Sequence, residues 1–172
     1  MCSTLVYYSC SEEYTRFVGA ALAGYLSGGD IILLQGELGA GKTTLIQGIC
    51  KALEVRERVT SSSFVLLRLL NGRMPVYHFD LYRLSSVDEL DSIGYEEFLF
   101  SNGISLIEWP EKIIAFAGDE WLSISLEYVD DSPDTRRITF LPQGERFVHI
   151  VEELETTTGG AAPGCNVPPV LE

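Results

Sequence analysis

The stretch GELGAGKTT, Gly36 to Thr44, concentrates the residues best suited to chemistry in this sequence. Gly36, Gly41, Lys42 and Thr43 fit the pattern G-x-x-x-x-G-K-[ST]. A glycine-rich turn through Glu37, Leu38, Gly39 and Ala40 lets successive backbone N–H groups face inward as an anion nest. A helix starting at the end of that turn adds its positive N-terminal end. Lys42 is a point charge for the β- and γ-phosphates of a nucleotide, and the Thr43 hydroxyl is a ligand for Mg²⁺.

Such a loop also calls for a carboxylate at the end of a neighbouring strand, to hold the Mg²⁺ shell or polarise a water. Asp80 ends PVYHFD and Glu108 ends ISLIE, both apolar runs of strand length. Ligands of open α/β sheets sit at the carboxyl ends of strands, where both acids would lie. Glu108 is assigned to the metal shell and Asp80 to its surroundings or to water positioning, an order that residue types alone leave reversible. Trp109 either packs over this site or belongs to the core. His78, on an apolar strand, reads first as packing, with a catalytic role as the alternative. Ser61 to Ser63 form either a hydroxyl-rich switch or a strand-entry turn. Arg83 pairs either with phosphate or with Asp88. No N-K-x-D set is present for guanine, so ATP is the favoured nucleotide.

Strand, loop and helix must follow one another for this chemistry, and they do. DIILLQ is a short apolar run expected to be buried on both faces. Leu45, Ile46, Ile49, Cys50 and Leu53 then mark the core side of a helix. Before them, Ser9 to Glu12 reads as a capping box opening a helix that runs through Leu26 and stops at Gly28-Gly29. Two strands joined at Asn71-Gly72 follow, then a helix opened by Ser86 to Glu89 and a helical piece in YEEFLFSNG. WLSISLEYV alternates cleanly and should pair antiparallel with RRITFL across a turn at Asp131 to Pro133. Phe147, Val148, Ile150, Val151 and Leu154 define a last helix. These elements predict an α/β fold of the P-loop NTPase class. Its mostly parallel central sheet is flanked by helices and carries a small antiparallel extension. Residues 1–155 form one domain, and 156–172, rich in Gly, Pro and Thr, read as a disordered tail.

Composition narrows the function further. The 172-residue chain has 25 Asp and Glu against 12 Lys and Arg, a formal net charge of -13. Its only lysines are Lys42, Lys51 and Lys112. The long-range field repels nucleic acid and no basic stripe is visible, so no strong direct binding of RNA or DNA is expected. No apolar run spans a bilayer and no leader is apparent, which predicts a cytoplasmic protein without membrane association. The cysteines Cys2, Cys10, Cys50 and Cys165 show no metal-ligand spacing and read as unpaired thiols. The one adjacent basic pair, Arg136-Arg137, falls on a hairpin expected to be peripheral. That counts against a small-molecule or nucleoside kinase, which clamps its substrates with several arginines. A nucleotide-gated binding module with incidental hydrolysis is the other alternative.

GELGAGKTT, VTSSSF, YHFDLYRL and LIEWPE, in this order and spacing, resemble the TsaE (YjeE) family. That family comprises bacterial P-loop ATPases of tRNA threonylcarbamoyladenosine formation, and the resemblance covers roughly Ser9 to Lys112. It implies ATP phosphates on Gly36 to Thr44, with Lys42 on the phosphates and Thr43 on Mg²⁺. It implies that Asp80, Glu108 and Trp109 are the acids and the indole of the family's motifs, and that the N-terminal segment near Ser11 to Thr15 approaches adenine. Ser61 to Phe64 matches a switch-like S-P-T-F segment. Ser62 and Ser63 replace its Pro and Thr, keeping a hydroxyl at Ser63 and losing a fixed φ. The partners implied are TsaD and TsaB, whose complex ATP hydrolysis would reset.

Overall fold

The computed structural model describes residues 4–60, 65–130 and 132–158. Seven strands form one sheet in the order β1-β7-β6-β2-β5-β4-β3. They are β1 (Leu5–Ser9), β2 (Ile31–Gln35), β3 (Leu67–Asn71), β4 (Pro75–Asp80), β5 (Ile104–Glu108), β6 (Trp121–Val129) and β7 (Ser132–Gln143). The helices are α1 (Glu12–Ala23), α2 (Lys42–Ala52), α3 (Val87–Ser92), α4 (Tyr95–Leu99) and α5 (Glu145–Thr158). β6, β2, β5 and β4 run parallel. β7 and β1 add antiparallel strands at one edge, and β3 does so at the other.

Both faces of the sheet are covered. On one, Ile32, Leu34, Leu106 and Ile124 meet Val18 and Leu22 of α1, Ile46 and Ile49 of α2, and Val151 of α5. On the other, Leu33, Phe79 and Ile107 meet Leu90 of α3 and Leu99 of α4. Double coverage explains why Ile31 to Leu34 is continuously apolar, with each of the four residues buried. A dry sheet of this kind fixes where its strand ends lie, and β2, β4 and β5 all deliver their carboxyl ends to the same rim.

Several expectations need correction. The cap of α1 is Ser11, whose side chain accepts from the Tyr14 N–H, while Ser9 is the last residue of β1. The helix ends at Ala23, three residues before Leu26, where the N–H of its cap Gly24 closes a tightened last turn onto Ala21 and Leu22. β1 itself was not anticipated, although Leu5, Tyr7 and Ser9 alternate as buried positions. β6 is more than half of a peripheral hairpin, because it also pairs parallel with β2 in the sheet centre. β7 already begins at Ser132, within the stretch expected to be turn. α5 continues through Thr158, so residues 156–158 are helical, and the rest of the expected tail lies outside the described residues. Cys50 is free and buried as expected, whereas Cys10 is disulfide-bonded.

Candidate functional site

The glycine loop leaves the carboxyl end of β2 and enters α2 at Lys42. Its shape depends on positive φ at Gly36 (138°), Gly39 (80°) and Gly41 (106°), conformations that side-chain-bearing residues rarely adopt. Gly41 is the residue before the first turn of α2, and no side chain caps that helix end. The donors left free there face the loop, as an anion site requires. Ala40 is fully buried and anchors the loop in the core.

Lys42, Thr43, Asp80, Glu108 and Trp109 line one cleft of about 290 Å³, joined by Leu38, Gly39, Gly41 and Thr44. The Lys42 ammonium donates to the carbonyls of Gly36 (2.6 Å) and Glu37 (3.0 Å) and lies 4.0 Å from the centre of the Trp109 ring. Burial pulls its pKa below the ordinary lysine value, against the opposing pull of Glu108, Asp80 and Glu111. The Thr43 hydroxyl donates to Glu108, 3.1 Å from Oε1 and 3.3 Å from Oε2. Asp80 accepts from the Tyr82 N–H at 3.3 Å, and burial pushes its carboxyl above the ordinary range.

The pairing of the strands explains this convergence. Asp80 and Glu108 are register partners in the parallel ladder of β4 and β5, so both side chains leave the sheet on one face. That face is the one carrying α2. Trp109 then turns the chain back with φ 60° and ψ 57°, although Pro110 follows it. A left-handed, pre-proline tryptophan is strained by about 1–3 kcal/mol, and this turn sets the indole against Lys42 on one side and Tyr82, at 4.9 Å, on the other. Of the two roles open to Trp109 in the sequence, it takes the one at the cleft, half-buried.

The remaining expected residues are distributed more widely. Gly36 shapes the turn from behind the cleft, and Glu37 contributes its carbonyl. Ser11 lies in a separate crevice of about 80 Å³ behind the loop, shared with Thr44, Gly41 and Arg136. Arg136 was expected to be peripheral but lines this crevice, its guanidinium 4.0 Å over the Tyr128 ring. Arg137 pairs instead with Glu127 at 2.6 Å. Ser63 and the whole Ser61 to Phe64 segment lie outside the described residues.

One contributor, Tyr82, has no place in the sequence reading, and a second, His78, is taken there first as packing. Tyr82 flanks the indole and lines the cleft. His78 is not mere packing, since its Nε2 stands 2.9 Å from Glu108 Oε1 with both side chains almost fully buried. A signal for His78 existed in the strand period: residues 78 and 80 of a strand share a face.

Hard oxygen donors from Thr43, Glu108 and Asp80 around one cleft suit a magnesium ion, and the adjoining loop suits a phosphate chain. The arrangement can bind a polyphosphate, hold an oxygen-liganded cation next to it and offer a carboxylate to a water.

Comparison with known proteins gives a consistent result. The family model described as threonylcarbamoyl adenosine biosynthesis protein TsaE matches residues 9–138. The tRNA threonylcarbamoyladenosine biosynthesis protein TsaE of Bacillus subtilis is 34% identical over 151 residues, covering 87% of this chain and 93% of that protein. The protein of the same name from Treponema pallidum is 35% identical, covering 76% of this chain and 96% of its own. The crystal structure of Bacillus subtilis YdiB superposes with a TM-score of 0.75 at 31% identity, over 91% of this chain and 97% of that one.

Proposed function

Because the chain belongs to the TsaE family, we propose that it is an Mg²⁺-dependent ATPase of the tRNA threonylcarbamoyladenosine machinery. In this reading the loop from Gly36 to Thr44 binds the phosphates of ATP through its backbone N–H groups and Lys42. Thr43 and Glu108 hold the magnesium ion, which when bound offsets phosphate charge. Asp80 stands beside them to orient a water. Trp109 and Tyr82 wall the cleft and exclude bulk solvent from the phosphate end. Ser11 and its crevice take the adenine side.

The observation that carries the proposal is the Thr43–Glu108 pair, a hydroxyl and a buried carboxylate in contact at the mouth of the glycine loop. It joins the start of α2 to the end of β5, the two places from which a P-loop enzyme draws its metal ligands. Hydrolysis then serves to change shape or affinity: ATP-bound and ADP-bound forms would differ in their hold on a TsaD–TsaB complex in the cytoplasm. The acidic surface leaves tRNA contact to those partners.

The test is release of inorganic phosphate from ATP with and without Mg²⁺. Glu108→Gln, which removes the charge proposed to hold the metal, should lower Mg²⁺-dependent turnover by roughly tenfold or more. Co-purification with TsaD and TsaB should depend on the nucleotide present. Transfer of the γ-phosphate to a nucleoside or metabolite would instead identify a kinase. Metal-independent turnover would remove the proposed roles of Thr43 and Glu108.

A further inference from the structure

His78 sits in the middle of β4, two residues before Asp80, and is 2% exposed. Its register partner is Leu106, two residues before Glu108, so imidazole and carboxylate meet diagonally across the β4–β5 ladder. Nε2 lies 2.9 Å from Glu108 Oε1. The other ring nitrogen, Nδ1, is buried with no hydrogen-bond partner among the described residues. The two nitrogens are therefore unequal. A proton on Nδ1 would be a buried donor with nothing to accept it, whereas a bare lone pair there is the less costly orphan. The proton belongs on Nε2, where a carboxylate oxygen receives it.

Among the described residues Glu108 has one other side-chain donor, the Thr43 hydroxyl, and it stands where the loop that lines the cleft enters α2. Loop and hydroxyl are the parts that a ligand touches. The imidazole is held by the sheet, on the face it shares with fully buried Val76 and beside its fully buried register partner Leu106, and it is not among the residues that line the cleft. A carboxylate with one sheet-borne donor on Oε1 keeps its rotamer, and with it both of its contacts to the Thr43 hydroxyl, 3.1 Å from Oε1 and 3.3 Å from Oε2.

We propose that His78 is a positioning residue for Glu108, donating its Nε2 proton to Oε1 and thereby holding the carboxylate in its contact with Thr43 at the cleft. The role of Glu108 in turnover rests on the function proposed above. The protonation pattern of the ring does not.

Two measurements test the proposal separately. The first is nitrogen-15 NMR of the histidine ring in the nucleotide-free protein. His78 should show a protonated Nε2 and a bare Nδ1, and replacing Glu108 by Gln should shift the Nε2 proton signal. A protonated Nδ1 overturns the proposal. The second is steady-state ATP hydrolysis. His78→Phe should lower kcat at least tenfold with KM for ATP within twofold of the parent. His78→Gln, whose amide nitrogen can donate in place of Nε2, should recover most of that loss. Loss from Phe that Gln does not recover, or a kcat within twofold in both variants, overturns it. Should His78→Phe fail to fold, the Gln variant and the ring spectrum still decide the matter. A parent protein without ATP turnover would refute the proposed function and leave the ring spectrum as the test.

Discussion

Replacing Gly36 by alanine should separate the geometry of the glycine loop from the stability of the fold. A Cβ at Gly36 would lie 2.3 Å from the carbonyl oxygen of Leu126 and 3.3 Å from its carbon. Leu126 belongs to β6, which pairs with β2, so main chain rather than a pliant side chain must move. The φ of 138° adds strain of about 1–3 kcal/mol for any residue with a side chain. Overpacking of a rigid neighbour adds about 1–3 kcal/mol more. A total near 4 kcal/mol corresponds to a fall in Tm of roughly 8–16 °C for a domain of this size. Gly94→Ala is the control, because its φ is 65° and a Cβ there meets nothing within 4 Å. Strain alone, about 1–2 kcal/mol, should lower its Tm by roughly 2–8 °C. Differential scanning calorimetry gives both values, and titration of a non-hydrolysable ATP analogue at 20 °C gives the affinities. Gly36→Ala should bind at least tenfold more weakly, and Gly94→Ala as tightly as the parent. Equal Tm losses, or parental affinity in Gly36→Ala, would refute the reasoning.

Burial depresses the pKa of Lys42, so its charged form destabilises the folded protein. The penalty is complete below the folded-state pKa and vanishes as pH rises toward the ordinary value of 10.5. Lys42→Met should therefore melt higher than the parent at pH 7, by a margin that shrinks toward pH 10, while ATP turnover is lost; thermal melts across that range check it. Removal of divalent metal should weaken binding of the ATP analogue at least tenfold, and added salt should then raise the residual affinity, as titration at two ionic strengths would show.

Legibility followed the range of the interactions. Ile31 to Leu34 was readable as a buried strand because coverage on both faces demands apolar residues throughout. α2 was readable because the loop and the helix face are both local patterns. β1 was missed because a five-residue strand at a sheet edge has only three alternating positions to announce it, and its partner β7 lies more than a hundred residues away. The parallel pairing of β6 with β2 is equally non-local, whereas the alternation in WLSISLEYV suits a hairpin as well as a central strand. Within the site, Asp80 and Glu108 could be named from strand ends. Which of them meets Thr43 depends on the rise of α2 against β5, and that geometry has no counterpart in residue spacing. The displacement of Ser11 into its own crevice is likewise a consequence of where α1 docks.

The charge of the chain and the chemistry of its cleft express one arrangement. Lys42 is the only lysine or arginine among the cleft residues, while Glu12, Asp80 and Glu108 bring carboxylates. The exposed amides of the loop and the half charge at the start of α2 offset only part of that negative potential. A free triphosphate entering here meets net repulsion. A triphosphate carrying a divalent cation would meet the same carboxylates as ligands or as hydrogen-bond acceptors for water in the metal shell. On the proposed function, the acids that lower affinity for the bare nucleotide would thus be the groups that select the metal-loaded one. A more basic cleft would bind phosphate more tightly with or without metal, and the contacts of Thr43 and Glu108 would then discriminate nothing. The absence of other cationic side chains among the described cleft residues would accordingly be part of that specificity, and the net charge of -13 extends the same repulsion to unchelated polyanions at longer range.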